Sequence, residues 1–192
     1  MTKEQLNGAL DYVDHSRENR LKMANLILCD SNLVEPLLEI AFDLENPLSH
    51  RACWVMEFAA KVELSYLYPY VDIFVDNLGR LKIDSSIRPA AKICEYLIRC
   101  YFLNSRQECR AILKDRHLEG IATACFDWLI GDNKVAAKAY SMTSLLYLGK
   151  KFPWIHPELA LILEQNYADG SAAYKARARH TLVKLNEFKK KS

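Results

Sequence analysis

A serine and a lysine lie close together near the C-terminus, in the stretch ADGSAAYKARARH at residues 168–180. A serine hydroxyl acts as a nucleophile or proton carrier in many active sites, and a lysine ammonium group binds anions. Gly170 and Ser171 also fit a structural role, in which Gly170 ends one helix and the Ser171 hydroxyl caps the next, before two alanines. We predict the helix cap, because such offsets recur wherever a short loop joins two helices.

The same stretch resembles the Gly-Ser-x-x-Met-x-x-Lys-x-Asn loop of the fumarase/adenylosuccinate lyase superfamily in Gly170, Ser171 and Lys175. That resemblance implies a C–N lyase, in which Ser171 deprotonates the substrate carbon and Lys175 binds its carboxylate. The sequence departs from the loop, because Tyr174 replaces the Met, Lys175 comes two residues early and Arg179 replaces the Asn. Together with KVAAKAYSM, the stretch also resembles short bacterial helical proteins that often carry an adenylosuccinate lyase label. From the residues we predict no catalytic group, with lyase activity as the alternative.

Other chemical motifs do not occur in the sequence. It contains no Walker loop, nucleophile elbow, H-E-x-x-H or Gly-rich dinucleotide turn. The five histidines share no i, i+4 spacing, so we predict neither a metal site nor a cofactor. The six cysteines form no C-x-x-C pair and lie mostly among apolar residues, so we expect reduced, packed thiols in a cytoplasmic protein. No apolar run reaches the roughly 18 residues that span a bilayer, so we predict no membrane partner.

Helical periodicity repeats along the chain. Four segments carry small residues in their first turn and an apolar stripe behind it, and we name them B helices: 50–61, 88–99, 134–151 and 171–188. Each follows another apolar-periodic segment, and we name these A helices: 33–44, 67–78, 117–130 and 155–167. One or two further helices precede the first pair, and the stretch FLNSRQECRAILKDRH has room for a short extra helix.

The spacing of the B helices indicates the fold class. Matching alanines at Ala52, Ala90, Ala136 and Ala173 are 38, 46 and 37 residues apart, close to the roughly 40–47 of HEAT and armadillo units. The pattern resembles HEAT-like repeat proteins, which implies an all-α, right-handed α–α superhelix with B helices on its concave face. We therefore predict one domain over residues 1–192, with repeat pairs at 33–61, 67–99, 117–151 and 155–188.

A polar stripe recurs on the predicted B helices and forms our candidate binding site. Its members are Arg51, Trp54, Glu57, Arg88, Lys92, Glu95, Lys138, Tyr140, Lys175, Arg177 and Arg179. Offsets of 0, 4, 7 and 11 residues keep such positions on one side of a helix. The stripe is interpreted either as a solvated face of ion pairs or as a basic, aromatic-containing binding groove with Trp54 as an anchor.

The charge balance constrains the partner. The 26 Lys and Arg residues nearly balance 24 Asp and Glu residues, so the whole chain has no strong field for a polyanion. We therefore predict a non-catalytic binding or scaffold module for a protein or peptide segment of acidic or mixed charge. The alternative is a nucleic-acid-binding HEAT-like protein, because basic residues interleaved with aromatics also track phosphates and stack on bases.

Overall fold

The structure is a computed structural model that describes residues 1–103 and 108–189. All the secondary structure of these residues is helical, which confirms the all-α prediction. The described α-helices are α1 (Lys3–Ala9), α2 (Arg17–Cys29), α3 (Val34–Phe42), α4 (Ser49–Val62), α5 (Val71–Asn77), α6 (Asp84–Leu103), α7 (Glu108–Ile112), α8 (Asp115–Ile130), α9 (Val135–Leu148), α10 (Ile155–Gln165) and α11 (Ala172–Lys189). Short 3-10 turns lie at Leu10–Tyr12, Ser31–Leu33, Leu64–Tyr70 and Leu78–Arg80.

Local sequence explains most helix boundaries. Thr2 and Gln5 form a capping box at the start of α1, and the Ser16 hydroxyl accepts the Asn19 N–H at the start of α2. The segment predicted as one helix over 67–78 is broken instead. Pro69 lies inside a 3-10 turn, and the α-helix α5 begins only at Val71. The extra helix expected before the third repeat is α7, while residues 104–107 lie outside the described part of the chain.

The helices pack as two series of neighbours, which we name the B layer and the A layer. In the B layer, α2, α4, α6, α9 and α11 follow one another as neighbours. In the A layer, α1, α3, α5 and α8 follow one another, and α10 packs against α9 and α11. Small side chains allow close approach in the B layer, where Ala52, Ala91, Ala137 and Ala178 are fully buried. The apolar core between the layers runs from α1 to α11.

One expectation about the cysteines is wrong. Cys100 and Cys109 form a disulfide, because α7 folds back beside the end of α6 and brings their Cα atoms to 6.0 Å. The hydroxyl of Tyr68 lies 2.9 Å from the sulfur of Cys109. The other four cysteines are free thiols, of which Cys29 alone is exposed. The cytoplasmic location stays a prediction, now without the support of a fully reduced cysteine set.

Candidate binding face of the B layer

Six of the predicted polar-stripe residues lie near one another on the B layer. Arg88, Lys92 and Glu95 on α6 form the centre, with Trp54 and Glu57 from α4 on one side and Tyr140 from α9 on the other. We use the name ion-pair face for the surface formed by six residues: Glu57, Arg88, Lys92, Glu95, Arg99 and Tyr140. Helix α6 supplies four of them, because its positions 88, 92, 95 and 99 lie along one side of the helix.

An ion pair links α4 to α6. The guanidinium of Arg88 donates to both carboxylate oxygens of Glu57, at 2.7 and 3.2 Å. This two-point geometry fixes the direction of the Arg88 side chain as well as its charge. The pair therefore holds a cation in a defined position between neighbouring helices.

A second ion-pair group lies along α6 and reaches α9. The Lys92 ammonium is 2.7 Å from a carboxylate oxygen of Glu95, and Arg99 is 3.5 Å from the other oxygen. The same ammonium lies 4.4 Å from the ring centre of Tyr140, which is a cation–π distance. Glu95 thus holds two cations, and Tyr140 fixes one of them from the next helix.

The two kinds of charge on the ion-pair face differ in exposure. The side chain of Glu57 is 13% exposed and that of its partner Arg88 is 30% exposed. The side chain of Glu95 is 8% exposed, while its partners Lys92 and Arg99 are 22% and 52% exposed. A molecule that approaches this face therefore meets cations first and carboxylates behind them.

Three other ion pairs of the described residues show the opposite asymmetry or none. The carboxylate is the more exposed partner in the pairs Arg51–Asp11 and Lys151–Asp115. In Arg116–Asp72 the two side chains are almost equally exposed, at 54% and 55%. The cation-outward arrangement of the ion-pair face is therefore not shared by these three surface ion pairs.

Trp54 does not have the exposed position expected of an interface anchor. It is 7% exposed, and the guanidinium of Arg20 on α2 covers its ring at 4.4 Å from the centre. Its indole N–H donates to the carbonyl of Ser85 at 2.9 Å. That carbonyl is free for the indole, because Pro89, four residues later in α6, has no N–H to donate. Trp54 therefore joins α2, α4 and α6.

Other predicted site residues lie apart from this face. Arg51 donates to the main-chain carbonyls of Leu10 and Asp11, so it ties α4 to the N-terminal segment. Arg179 donates to the hydroxyl of Tyr167, at 3.0 Å, within the last helix pair.

Three further cations of the predicted stripe belong to α9 and α11. Lys138, Lys175 and Arg177 form no ion pair with residues 1–103 or 108–189. The predicted polar stripe is thus divided into a central paired group and outlying single cations.

The Gly170–Ser171 loop is a helix cap, as predicted. The Ser171 hydroxyl accepts the main-chain N–H of Tyr174 at 3.2 Å, at the first turn of α11. Gly170 does not end the preceding helix, since α10 stops at Gln165. A Cβ on Gly170 would lie 2.5 Å from the Tyr174 ring, so close packing explains the glycine. Tyr174 itself is buried, at 4% exposed.

Neither the buried thiols nor the buried histidine form reactive groups. Burial raises the pKa of Cys53 and of Cys125 to about 12, which keeps both thiols protonated at neutral pH. His117 accepts the main-chain N–H of Lys114 through Nδ1, at 3.1 Å, and contacts Asp72 through Nε2. Both ring nitrogens of His117 are therefore used: Nδ1 caps the start of α8, and Nε2 holds α8 against α5.

Sequence reasoning missed Arg20, which lies on an N-terminal helix without a repeat partner. Its side chain reaches Trp54, 34 positions further along the chain. No local spacing indicates such a contact, because it depends on how α2 packs against α4. A single arginine in an amphipathic helix does not indicate which distant side chain it will contact.

No family model matches the chain, and neither does any curated protein or solved structure. Within the described residues, no group of three or more His, Cys, Asp or Glu side chains is arranged to hold a metal ion. In the same part of the chain, no helix combines the length and the apolar character that crossing a bilayer requires.

Proposed function

We propose that this protein is a non-catalytic binding module that holds an acidic segment of a partner protein against the ion-pair face. The proposal rests on one observation: the cations of the ion-pair face are more exposed than the carboxylates with which they pair. The carboxylates of Glu57 and Glu95 are nearly buried, while Arg88, Lys92 and Arg99 extend further toward solvent. Cations that are already fixed in position lose less side-chain freedom when they bind an anion.

The order of the helices supports a HEAT-like superhelix as the scaffold of this module. Successive B helices are neighbours in one layer, and successive A helices lie behind them. In superhelices of this kind an extended surface serves as the binding site for a partner. The proposal places the partner segment across α4, α6 and α9, roughly perpendicular to the helices.

The ion-pair face suits a protein segment better than a nucleic acid. Each exposed cation lies over a carboxylate of the same chain, which weakens the attraction for a dense row of phosphates. An acidic peptide carries fewer charges and contacts Tyr140 and the aliphatic stems of Lys92 and Arg99 as well. Charge complementarity of this kind sets the choice of partner and the rate of association more than the final affinity.

The proposal is tested by the anisotropy of a fluorescein-labelled Glu-Ser repeat peptide, titrated with the full chain. Arg99→Gln is the test variant and Arg116→Gln is the matched control, because the two side chains are 52% and 54% exposed and both pair with a carboxylate. Exposed charge contacts contribute about 0.2–1 kcal/mol, so Arg99→Gln is expected to weaken binding about threefold. The control is expected to bind like the wild type.

Two results would overturn the proposal. Equal affinity of the Arg99→Gln and Arg116→Gln proteins for the peptide would remove the ion-pair face from binding. Tighter binding of a single-stranded oligothymidine, with an affinity that falls steeply as salt rises, would favour the nucleic-acid alternative.

A further inference from the structure

A second basic feature lies beside the ion-pair face, at a cavity of about 280 Å³. Four helices border it: α2, the middle of α4 and the starts of α6 and α9. We name it the Arg20 pocket, and its polar and aromatic lining consists mainly of Arg20, Trp54, Asp84, Ser85, Arg88 and Lys134. A space of this size leaves ample room for one phosphate group, which is a few times larger than a water molecule of about 30 Å³.

Arg20 is a cation without a carboxylate partner in this pocket. Its Nε donates to the main-chain carbonyl of Asp14 at 3.0 Å, and its guanidinium lies on the ring of Trp54. Among residues 1–103 and 108–189 it forms no ion pair. One outer nitrogen of its guanidinium also lies 3.4 Å from Nδ1 of His15. A guanidinium carries five N–H donors, so Arg20 retains hydrogen-bonding capacity for a ligand beside these two contacts.

Arg88 faces the same space as Arg20. Burial, and then the positive charge of Arg88, lower the pKa of Arg20, with Glu57 acting in the opposite direction. Two like charges held together in this way are stabilised by any anion that binds between them. The fold keeps them there, because Glu57 fixes Arg88 from one side and Trp54 supports Arg20 from the other.

The third cation, Lys134, comes from the residue before α9. Its side chain is exposed at the rim of the pocket. The carboxylate of Asp84 is also part of the lining, but one of its oxygens accepts the main-chain N–H of Lys134 at 2.9 Å. The lining thus contains three cations, the imidazole of His15 and one carboxylate, and this carboxylate is already engaged.

We propose that the Arg20 pocket binds one phosphate group through Arg20, Arg88 and Lys134. Three cations from three different segments match the three terminal oxygens of a phosphate monoester better than the two oxygens of a carboxylate. The rigid wall of the pocket is Trp54, whose indole is fixed by the Ser85 carbonyl. The phosphate belongs either to a free small molecule or to a phosphorylated side chain, and the chemistry of recognition is the same.

Isothermal titration of the full chain with inorganic phosphate at low ionic strength tests this site. Arg20→Gln is the main variant, and Arg17→Gln is its matched control, because Arg17 is an exposed arginine on the same helix outside the pocket. The loss of one charge-assisted contact is expected to raise the Kd about tenfold in Arg20→Gln. The Arg17→Gln protein is expected to remain within about twofold of the wild type.

A second variant protects the test against misfolding of Arg20→Gln. Lys134 is exposed and precedes its helix, so Lys134→Gln removes a pocket cation without disturbing Trp54. It is expected to weaken phosphate binding severalfold while the near-UV circular dichroism stays unchanged. Unchanged phosphate binding in both pocket variants, or no phosphate binding by the wild type at millimolar concentration, would overturn the proposal.

Further arms separate the sources of the phosphate and the two proposed sites. A phosphoserine peptide that binds at least about tenfold more tightly than inorganic phosphate would indicate a phosphorylated segment, and equal affinities would indicate a small phosphate compound. The two sites share Arg88, but their tests are separate, because Arg99→Gln is expected to leave phosphate binding intact. In turn, Arg20→Gln is expected to leave binding of the unphosphorylated Glu-Ser peptide within about twofold.

Discussion

Replacement of Gly149 by alanine tests how tightly α9 and α10 are packed. Gly149 follows the last residue of α9, and a Cβ built there would lie 1.9 Å from Cδ2 of His156. The backbone itself accepts alanine, since φ is −61° at this position. Any cost of Gly149→Ala therefore comes from displacement of the His156 ring and not from backbone strain.

The cost follows from the contacts of His156. Its Nε2 lies 3.0 Å from the carbonyl of Leu146, which is one of the last carbonyls of α9 and has no further turn of helix to bind. Loss of that hydrogen bond costs about 1 kcal/mol, and loss of the stacking on Phe188 costs about 0.5–1 kcal/mol more. Alanine regains about 0.5 kcal/mol by restricting the unfolded chain. The net effect is a destabilisation of about 1–1.5 kcal/mol, or about 2–6 °C in Tm.

Thermal and urea unfolding measure this effect, with Gly8→Ala as the matched control. Gly8 is an exposed residue of α1 with no atom within 4 Å of an added Cβ, so the same substitution is expected to stabilise by about 0.5–1 kcal/mol. In a His156→Ala background, Gly149→Ala is expected to lose its cost, because the clashing ring is gone. A Gly149→Ala protein as stable as the wild type would refute the contact between Gly149 and His156.

Two further outcomes are expected from the described contacts. Thiol titration should detect only Cys29 rapidly in the native protein. It should detect four thiols after unfolding without reductant, and six after reduction of the Cys100–Cys109 disulfide. Detection of six thiols before reduction would exclude the disulfide. The hydrogen bond from His117 lowers the pKa of Asp72 in the folded protein. This carboxylate therefore stabilises the fold at pH values above its unfolded pKa of about 3.9. The stabilisation is lost as the pH falls through the lower pKa of the folded state. The difference in urea midpoint between the wild type and Asp72→Asn should therefore be present at neutral pH and vanish in acid, whereas a constant difference would contradict it.

The helices and their caps are readable from the sequence because they depend on near neighbours. The small-residue and apolar periodicity over 134–151 predicts α9, which spans Val135–Leu148. The Ser171 cap is equally local, since its acceptor and donor are three residues apart. The break at Pro69 was missed, because the apolar spacing continues through it even though the backbone does not.

The candidate site also has features that the sequence predicts and features that it does not. The sequence places Arg88, Lys92 and Glu95 on one side of α6, because a fixed offset along a helix is a local property. It does not show that Glu57 is the partner of Arg88, 31 residues away, or that each carboxylate lies deeper than its cation. It also predicts Trp54 as an exposed anchor, since a polar stripe gives no sign that α2 covers it.

The sequence by itself thus determined an all-helical chain, the approximate extent of its longest helices and the residues that share a helix face. Only the tertiary structure decided which cations are neutralised, that Arg20 and Arg88 line one pocket, and which two cysteines pair. The physical reason is that periodicity and capping act within about one or two helical turns. Burial, ion pairing and the disulfide depend instead on how distant helices pack, and that packing creates both the ion-pair face and the Arg20 pocket.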